Sequence, residues 1–342
     1  MASLRHGFNV QTKQRIYLEA FEFLDSMGVI VGEKDKVLII GATGYLGRRL
    51  VKASMDLGHP TFVLYRPEVA SDVEKVQMLI GFKMQGATLL QGSLDDHNSL
   101  VSALRQVDVV VSAVAGNHLR HAVLEQLKLI EAIKEVGTIK RFLPSEFGMD
   151  VDRMEHAIPP GAYVFTDKRV VRRAIEKANI PYTYISANCC AGYFLAALAQ
   201  LGHFMPPTDH ALIYGDGDKK CIWVDEDDMA MYAMMAVDDP RALNKTLYLR
   251  PRGNILTQME VVHTWEKILG KELKKTFVSQ DEWLSSIDKV APPLQIGVAH
   301  LYQIFYHGDL EFEVEGPHGV DSNDLYPNHK YVTAEEYLKR FA

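Results

Sequence analysis

The residues best equipped for chemistry begin with a glycine-rich run, Gly41-Ala42-Thr43-Gly44-Tyr45-Leu46-Gly47. It leaves a short apolar stretch, Val37–Ile40, and opens an amphipathic pattern. Glycines at such a turn let the backbone approach a pyrophosphate closely, and the helix N-terminus behind them presents free N–H groups and partial positive charge. Gly41, Thr43, Gly44, Tyr45, Leu46 and Gly47 are therefore the expected dinucleotide contacts. The next apolar run ends at Tyr65-Arg66-Pro67. An NAD-selective site would carry an acid there to hold the ribose 2′-hydroxyl, whereas a guanidinium pairs bidentately with a 2′-phosphate. Arg66 thus selects NADP(H), and Lys75, in the following helical pattern, is the expected second cation.

Other polar groups have less to say by themselves. Lys168 lies in a helical pattern on the carboxyl-end side of the expected sheet, where an exposed helix lysine and an acid/base group are both open readings. The residue four before it is Val164, with Tyr163 one further back, so the Tyr-Lys spacing of ordinary short-chain dehydrogenases is missing. His118 and His121 stand three apart without a third ligand, and Cys189, Cys190 and Cys221 show no CxxC spacing, so no metal is expected. His300 sits alone on a half-apolar helix.

These groups need a scaffold, and the alternation of apolar runs with helical patterns supplies one. Strands are expected at Val37–Ile40, Thr61–Tyr65, Thr88–Gln91, Val109–Ser112, Lys140–Leu143 and Tyr182–Ser186, with helices at Tyr45–Leu57, Asp72–Gln85, Asn98–Gln106, Leu119–Val136 and Phe165–Ala178. Val-Leu-Ile-Ile and Val-Val-Val-Ser read as mid-sheet strands covered on both faces. The expected fold is α/β, a Rossmann-type doubly wound parallel sheet with a smaller C-terminal α/β substrate domain. The nucleotide domain is placed at residues 35–187 and the substrate domain at 188–342, with segments of about 212–250 returning to the first sheet. Beyond Asn188 the alternation breaks down, and helices are expected at Gly192–Gln200, Glu226–Val237, Thr257–Leu269, Gln280–Ile287, Gln295–Phe305 and Ala334–Phe341. Ile16, Ala20, Phe21, Leu24 and Met27 suggest a short amphipathic helix in residues 1–34, read as a dispensable or non-native extension.

The bulk numbers narrow the function classes. With 37 basic and 44 acidic residues the net charge is −7, so no positive field attracts nucleic acid. No apolar run approaches the length of a membrane span, and three unpatterned cysteines fit a reducing, cytoplasmic setting.

The chain resembles the plant reductases that group isoflavone reductase, phenylcoumaran benzylic ether reductase and pinoresinol–lariciresinol reductase, an NmrA-like, atypical branch of the short-chain dehydrogenases. The likeness covers nearly all of Lys36–Ala342. It rests on GATGYLG, on Lys140-Arg141-Phe142-Leu143-Pro144-Ser145-Glu146-Phe147-Gly148, on Val171-Arg172-Arg173-Ala174-Ile175-Glu176, on Asp238-Asp239-Pro240-Arg241 with Asn244-Lys245-Thr246, and on Leu325-Tyr326-Pro327. Arg66-Pro67-Glu68, Phe82–Ala87 and the Gly116–His121 loop are most similar to the pinoresinol–lariciresinol branch. The resemblance implies NADPH, a phenolic lignan-like substrate whose benzylic ether rings are opened, a homodimer, and Lys168 as general acid/base. It also implies substrate contacts from His300, Asn117 and His118, and a segment beside the nicotinamide that includes Asn188, Cys190 and Gly192. Relatives usually carry Phe where this chain has Cys190, so an altered pocket wall is expected. A sibling reductase would share the cofactor site and Lys168, and a non-catalytic NADP(H)-sensing regulator of the same fold would typically lack the lysine.

Overall fold

The computed structural model describes residues 34–114 and 120–342, with side chains of Arg120 and His121 excepted. The proposed N-terminal helix and the candidates Asn117 and His118 lie outside the described residues. Asp35–Ala342 pack as one unit.

The parallel sheet is built as its apolar runs require. Strands β1 (Val37–Ile40), β2 (Thr61–Tyr65), β3 (Thr88–Gln91), β4 (Val109–Ser112) and β5 (Arg141–Leu143) lie in the order β3-β2-β1-β4-β5, every neighbouring pair parallel. Val37–Ile40 and Val109–Ser112 are buried at all positions, as strands sandwiched between helices must be. A parallel bridge from Phe142 to Tyr182 continues the sheet into β6 (Thr183–Ser186). From there it runs on to a strand at Lys245–Tyr248 and another at Gly319–Asp321, both parallel. The crossover helices are α1 (Gly47–Asp56), α2 (Val73–Met84), α3 (His97–Leu104), α4 (Arg120–Leu124), α5 (Gln126–Val136) and α6 (Ala162–Lys177). Gly137 ends α5 in a left-handed C-cap, satisfying a terminal carbonyl through its N–H to Ile133.

One face of the sheet buries Leu50 and Val51 of α1 against Met229, Ala230 and Ala233 of α7 (Glu226–Met235). The other packs Leu100 and Leu104 against Ile130, Ile133 and Ile175. A separate core gathers Trp223, Trp265, Trp283, Tyr214 and Phe305. It holds two further small sheets that the sequence pattern did not suggest, His210–Tyr214 with Lys274–Val278 and Lys220–Val224 with Ile255–Thr257.

The helix expected over Gly192–Gln200 is confined to Ala191–Phe194. Leu198 and Ala199 both adopt left-handed backbone, which no continuing helix tolerates. Tertiary hydrogen bonds hold them there: Tyr214 Oη donates to the Ala199 carbonyl at 2.7 Å, and Gln258 Nε2 to that of Leu198 at 3.3 Å. The expected single helix over Leu119–Val136 is divided into α4 and α5.

Candidate active site

The carboxyl ends of β1, β2, β4, β5 and β6 open into one cleft of about 1140 Å³. Its floor is the glycine-rich turn. Gly41 has φ +81°, and a Cβ there would stand 2.5 Å from the Ala113 carbonyl oxygen, so only glycine lets β1 turn against the end of β4. A Cβ on Gly47 would run into the Gly41 carbonyl, which keeps the start of α1 tight on the turn. Gly41, Thr43, Gly44, Tyr45 and Leu46 line the cleft, while Gly47 acts behind it as this spacer.

At one end, Arg66 is exposed at the tip of β2, and Lys75 lines the same wall. Lys75 Nζ is paired with Asp72 Oδ2 at 2.7 Å, so its charge is partly engaged. No acid stands at the Arg66 position itself, although Glu68, Asp72 and Asp95 line the same cleft. Toward the other end, Asn188 follows β6 with φ +54°. Its Nδ2 donates to the Leu249 carbonyl at 2.8 Å, while Oδ1 is buried without a partner. A bare acceptor in the cleft fits a carboxamide donor of the kind nicotinamide carries. The glycine cradle and this orphaned oxygen are the two features that suit a dinucleotide.

Lys168 projects from α6 into the cleft, and its Nζ donates to the main-chain oxygen of Glu146 at 2.7 Å. Desolvation lowers its pKa, opposed by the Glu146 carboxylate and reinforced by Arg172. His300, on α8 (Pro292–Phe305), lines the same region, with its ring 5.3 Å from that of Phe165. Its Nε2 is buried and unpartnered. Burial, with Lys168 nearby, pushes its pKa down to about 4, so the ring is neutral at ordinary pH.

Cys190 and Gly192 complete the wall between the glycine turn and the inner cleft. Both converge on Glu226, a buried carboxylate at the start of α7 that sequence reading missed. Glu226 Oε1 accepts from Tyr45 Oη at 2.8 Å, from the Gly192 N–H, and from Cys190 Sγ at 3.2 Å. Burial, then Glu226, pushes the Cys190 thiol well up, which keeps it protonated and a poor nucleophile. A Cβ on Gly192 would collide with both Glu226 Oε1 and Tyr45 Oη. The only sequence signal for Glu226 was its place after Asp225, where acids commonly cap a helix. The Arg172–Glu146 ion pair under Lys168 was also missed, although both residues stand in quoted motifs.

Among the described residues, no group of three or more His, Cys, Asp or Glu is placed to hold a metal ion. None of their helices is long and apolar enough to cross a membrane.

A glycine-cradled turn at the carboxyl edge of a parallel sheet, sharing its cleft with a partly desolvated lysine, defines the class of dinucleotide-dependent Rossmann-type reductases. Residues 33–338 match the NmrA-like family. A bifunctional pinoresinol-lariciresinol reductase 2 from Thuja plicata is 59% identical over 310 residues, 90% of this chain and 99% of that one. A bifunctional pinoresinol-lariciresinol reductase from Forsythia intermedia is 55% identical over 311 residues, covering 90% and 99%. The solved structure of AtPrR2 with NADP+ and (+)pinoresinol superposes with a TM-score of 0.87 at 52% identity, over 91% of this chain and 100% of that chain. The chain belongs to the NmrA-like family, in its pinoresinol–lariciresinol reductase group.

Proposed function

We propose that this chain is an NADPH-dependent reductase that opens the benzylic ether rings of pinoresinol and lariciresinol, with Lys168 as the general acid/base. The observation that carries the reading is the Lys168 amine, held on a neutral carbonyl in the cleft that also contains the glycine turn. A benzylic ether carbon does not accept hydride directly; it must first become electrophilic. Removal of the para-phenolic proton by Lys168 pushes electrons through the ring and expels the ether oxygen, leaving a quinone methide. Bound NADPH supplies the hydride that the benzylic carbon then receives. The ring regains its aromaticity as a phenolate, the Lys168 ammonium returns its proton to that phenolate, and the expelled alkoxide takes a proton from solvent to end as an alcohol. A phenol near pKa 10 and a lysine of about 10.4 are matched for this exchange, and the lowered pKa of Lys168 increases its free-amine fraction near neutrality.

His300 lines the same cleft and is assigned to the substrate phenol. Asn117 and His118 are assigned to the mouth of the site. Arg66 and Lys75 take the 2′-phosphate, the turn from Gly41 to Gly47 the pyrophosphate, and Asn188 the nicotinamide amide. Cys190 and Gly192 form the wall that the substrate ring meets. Residues 35–187 serve as the nucleotide domain and 188–342 as the substrate domain, with Lys245–Tyr248 and Gly319–Asp321 returning to the nucleotide sheet. A cytoplasmic homodimer completes the reading; the three free cysteines are compatible with a reducing compartment.

The test is chiral product analysis after incubating the enzyme and NADPH with each pinoresinol enantiomer and with a phenylcoumaran. Consumption of pinoresinol with singly and then doubly opened products is expected. Consumption of the phenylcoumaran alone would replace the substrate with that of a sibling reductase. If none is consumed while NADPH still binds, the chain is a cofactor sensor instead.

A further inference from the structure

The ion pair beneath Lys168 has a geometry that bears on the base itself. Glu146 offers Lys168 two kinds of oxygen, and the amine takes the main-chain one, at 2.7 Å. The carboxylate of the same residue is turned to Arg172, which donates Nε to Oε1 at 2.6 Å and Nη2 to Oε2. Arg172 Nη1 is also occupied, by Asp150 Oδ1 at 2.7 Å and Asp152 Oδ2 at 3.1 Å. The Tyr184 ring lies 4.4 Å from the guanidinium carbon. Arg172 is 2% exposed and Glu146 6%, so this is a dry, fully directed pair one helical turn from the lysine.

We propose that Arg172 is a positioning residue for the reaction: it holds the Glu146 carboxylate in a bidentate grip, so that Lys168 meets a neutral carbonyl in place of a counter-ion. This rests on the assignment of Lys168 as the general base. The charged and titratable groups facing the amine come from three elements. Arg172 on its own helix disfavours the ammonium form, Glu146 on the turn after β5 favours it, and His300 on α8, neutral at ordinary pH, adds no charge. Desolvation completes the bias toward the amine. A carboxylate released to within ~4–6 Å of an amine raises its pKa by about 1–3 units, and each unit cuts the free-amine fraction tenfold below the limb. A lysine at position 172 would keep the cation but lose the planar fork that engages both carboxylate oxygens.

The experiment is the pH profile of kcat/KM, with NADPH affinity measured alongside, for the wild type, Arg172→Gln and the double variant Glu146→Gln/Arg172→Gln. Arg172→Gln should move the acidic limb up by about one unit or more. The double variant, with no Glu146 carboxylate to release and with Asp150 and Asp152 freed equally in both variants, should return it to within about half a unit of the wild type. A limb that stays put in folded, NADPH-binding Arg172→Gln overturns the proposal. So does a limb that rises equally in the double variant, since a merely structural role lowers stability without following the charge of Glu146. Should Arg172→Gln fail to fold because buried carboxylates lose their partner, Arg172→Lys takes its place, with a smaller upward shift expected and an unmoved limb counting against. Failure of the base assignment is read separately: residual turnover of Lys168→Ala that keeps the wild-type acidic limb removes Lys168 as base whatever Arg172 does.

Discussion

The hydroxyl of Tyr45, in the glycine-rich turn, donates to Oε1 of Glu226 at 2.8 Å across 181 residues of sequence. Tyr45 is held from other sides too, by the Arg49 guanidinium 4.4 Å from its ring centre and by an edge contact with Tyr193 at 5.6 Å. Since Glu226 also takes the Gly192 N–H and the Cys190 thiol, one carboxylate ties the glycine-rich turn to the Cys190–Gly192 segment.

Removing the carboxylate should therefore do more harm than removing the phenol. Tyr45→Phe deletes one donor and leaves Glu226 with others, at a loss of about 1 kcal/mol. Glu226→Leu strands the Tyr45 hydroxyl and the Gly192 N–H together, at a loss of about 2–3 kcal/mol. Urea unfolding of both variants checks the order; equal stabilities would show that Glu226 is not the hub.

Cofactor choice should follow Arg66. Replacing it with Ser removes charge-assisted hydrogen bonds to a 2′-phosphate, worth about 1.5–3 kcal/mol, or a ten- to hundredfold rise in KM for NADPH. KM for NADH should hardly change, and kcat should be retained. Steady-state kinetics with both cofactors decide it, and parallel loss of both would mean that Arg66 only supports the turn.

His300 should leave a mark on acid stability. Its folded pKa, pushed down to about 4 mainly by burial, lies below the unfolded value near 6.5, so the unfolded chain binds the extra proton first. Stability attributable to this residue falls as pH drops from about 6.5 toward 4. Substituting His300→Phe should flatten that part of the unfolding-versus-pH curve. An unchanged slope would place the imidazole in water.

The glycine turn and the first five strands were legible because their signals are local. Val37–Ile40 and Val109–Ser112 are uninterrupted apolar runs, and Gly41 marks the turn within a few residues of its strand. Glu226 was not legible, because its donors lie 34 to 181 residues away and an acid in a first helical turn has a sufficient local explanation. Lys274–Val278 escaped for a different reason: its burial pattern is mostly exposed and lacks the alternation of a half-buried strand. The truncated helix after Gly192 was lost to long-range hydrogen bonds from Tyr214 and Gln258, which hold residues 198 and 199 in a conformation no propensity favours. Lys168 could be located in its helix from sequence, but its partner, a main-chain oxygen 22 residues earlier, could not.

The proton-transfer role of that lysine is most directly tested by comparing wild type and Lys168→Ala in single-turnover oxidation of NADPH by pinoresinol, with NADPH affinity measured separately. Unchanged NADPH binding with a rate reduced by about 10²–10⁴-fold is the expected result. A variant that binds the cofactor and reduces pinoresinol at the wild-type rate would contradict it.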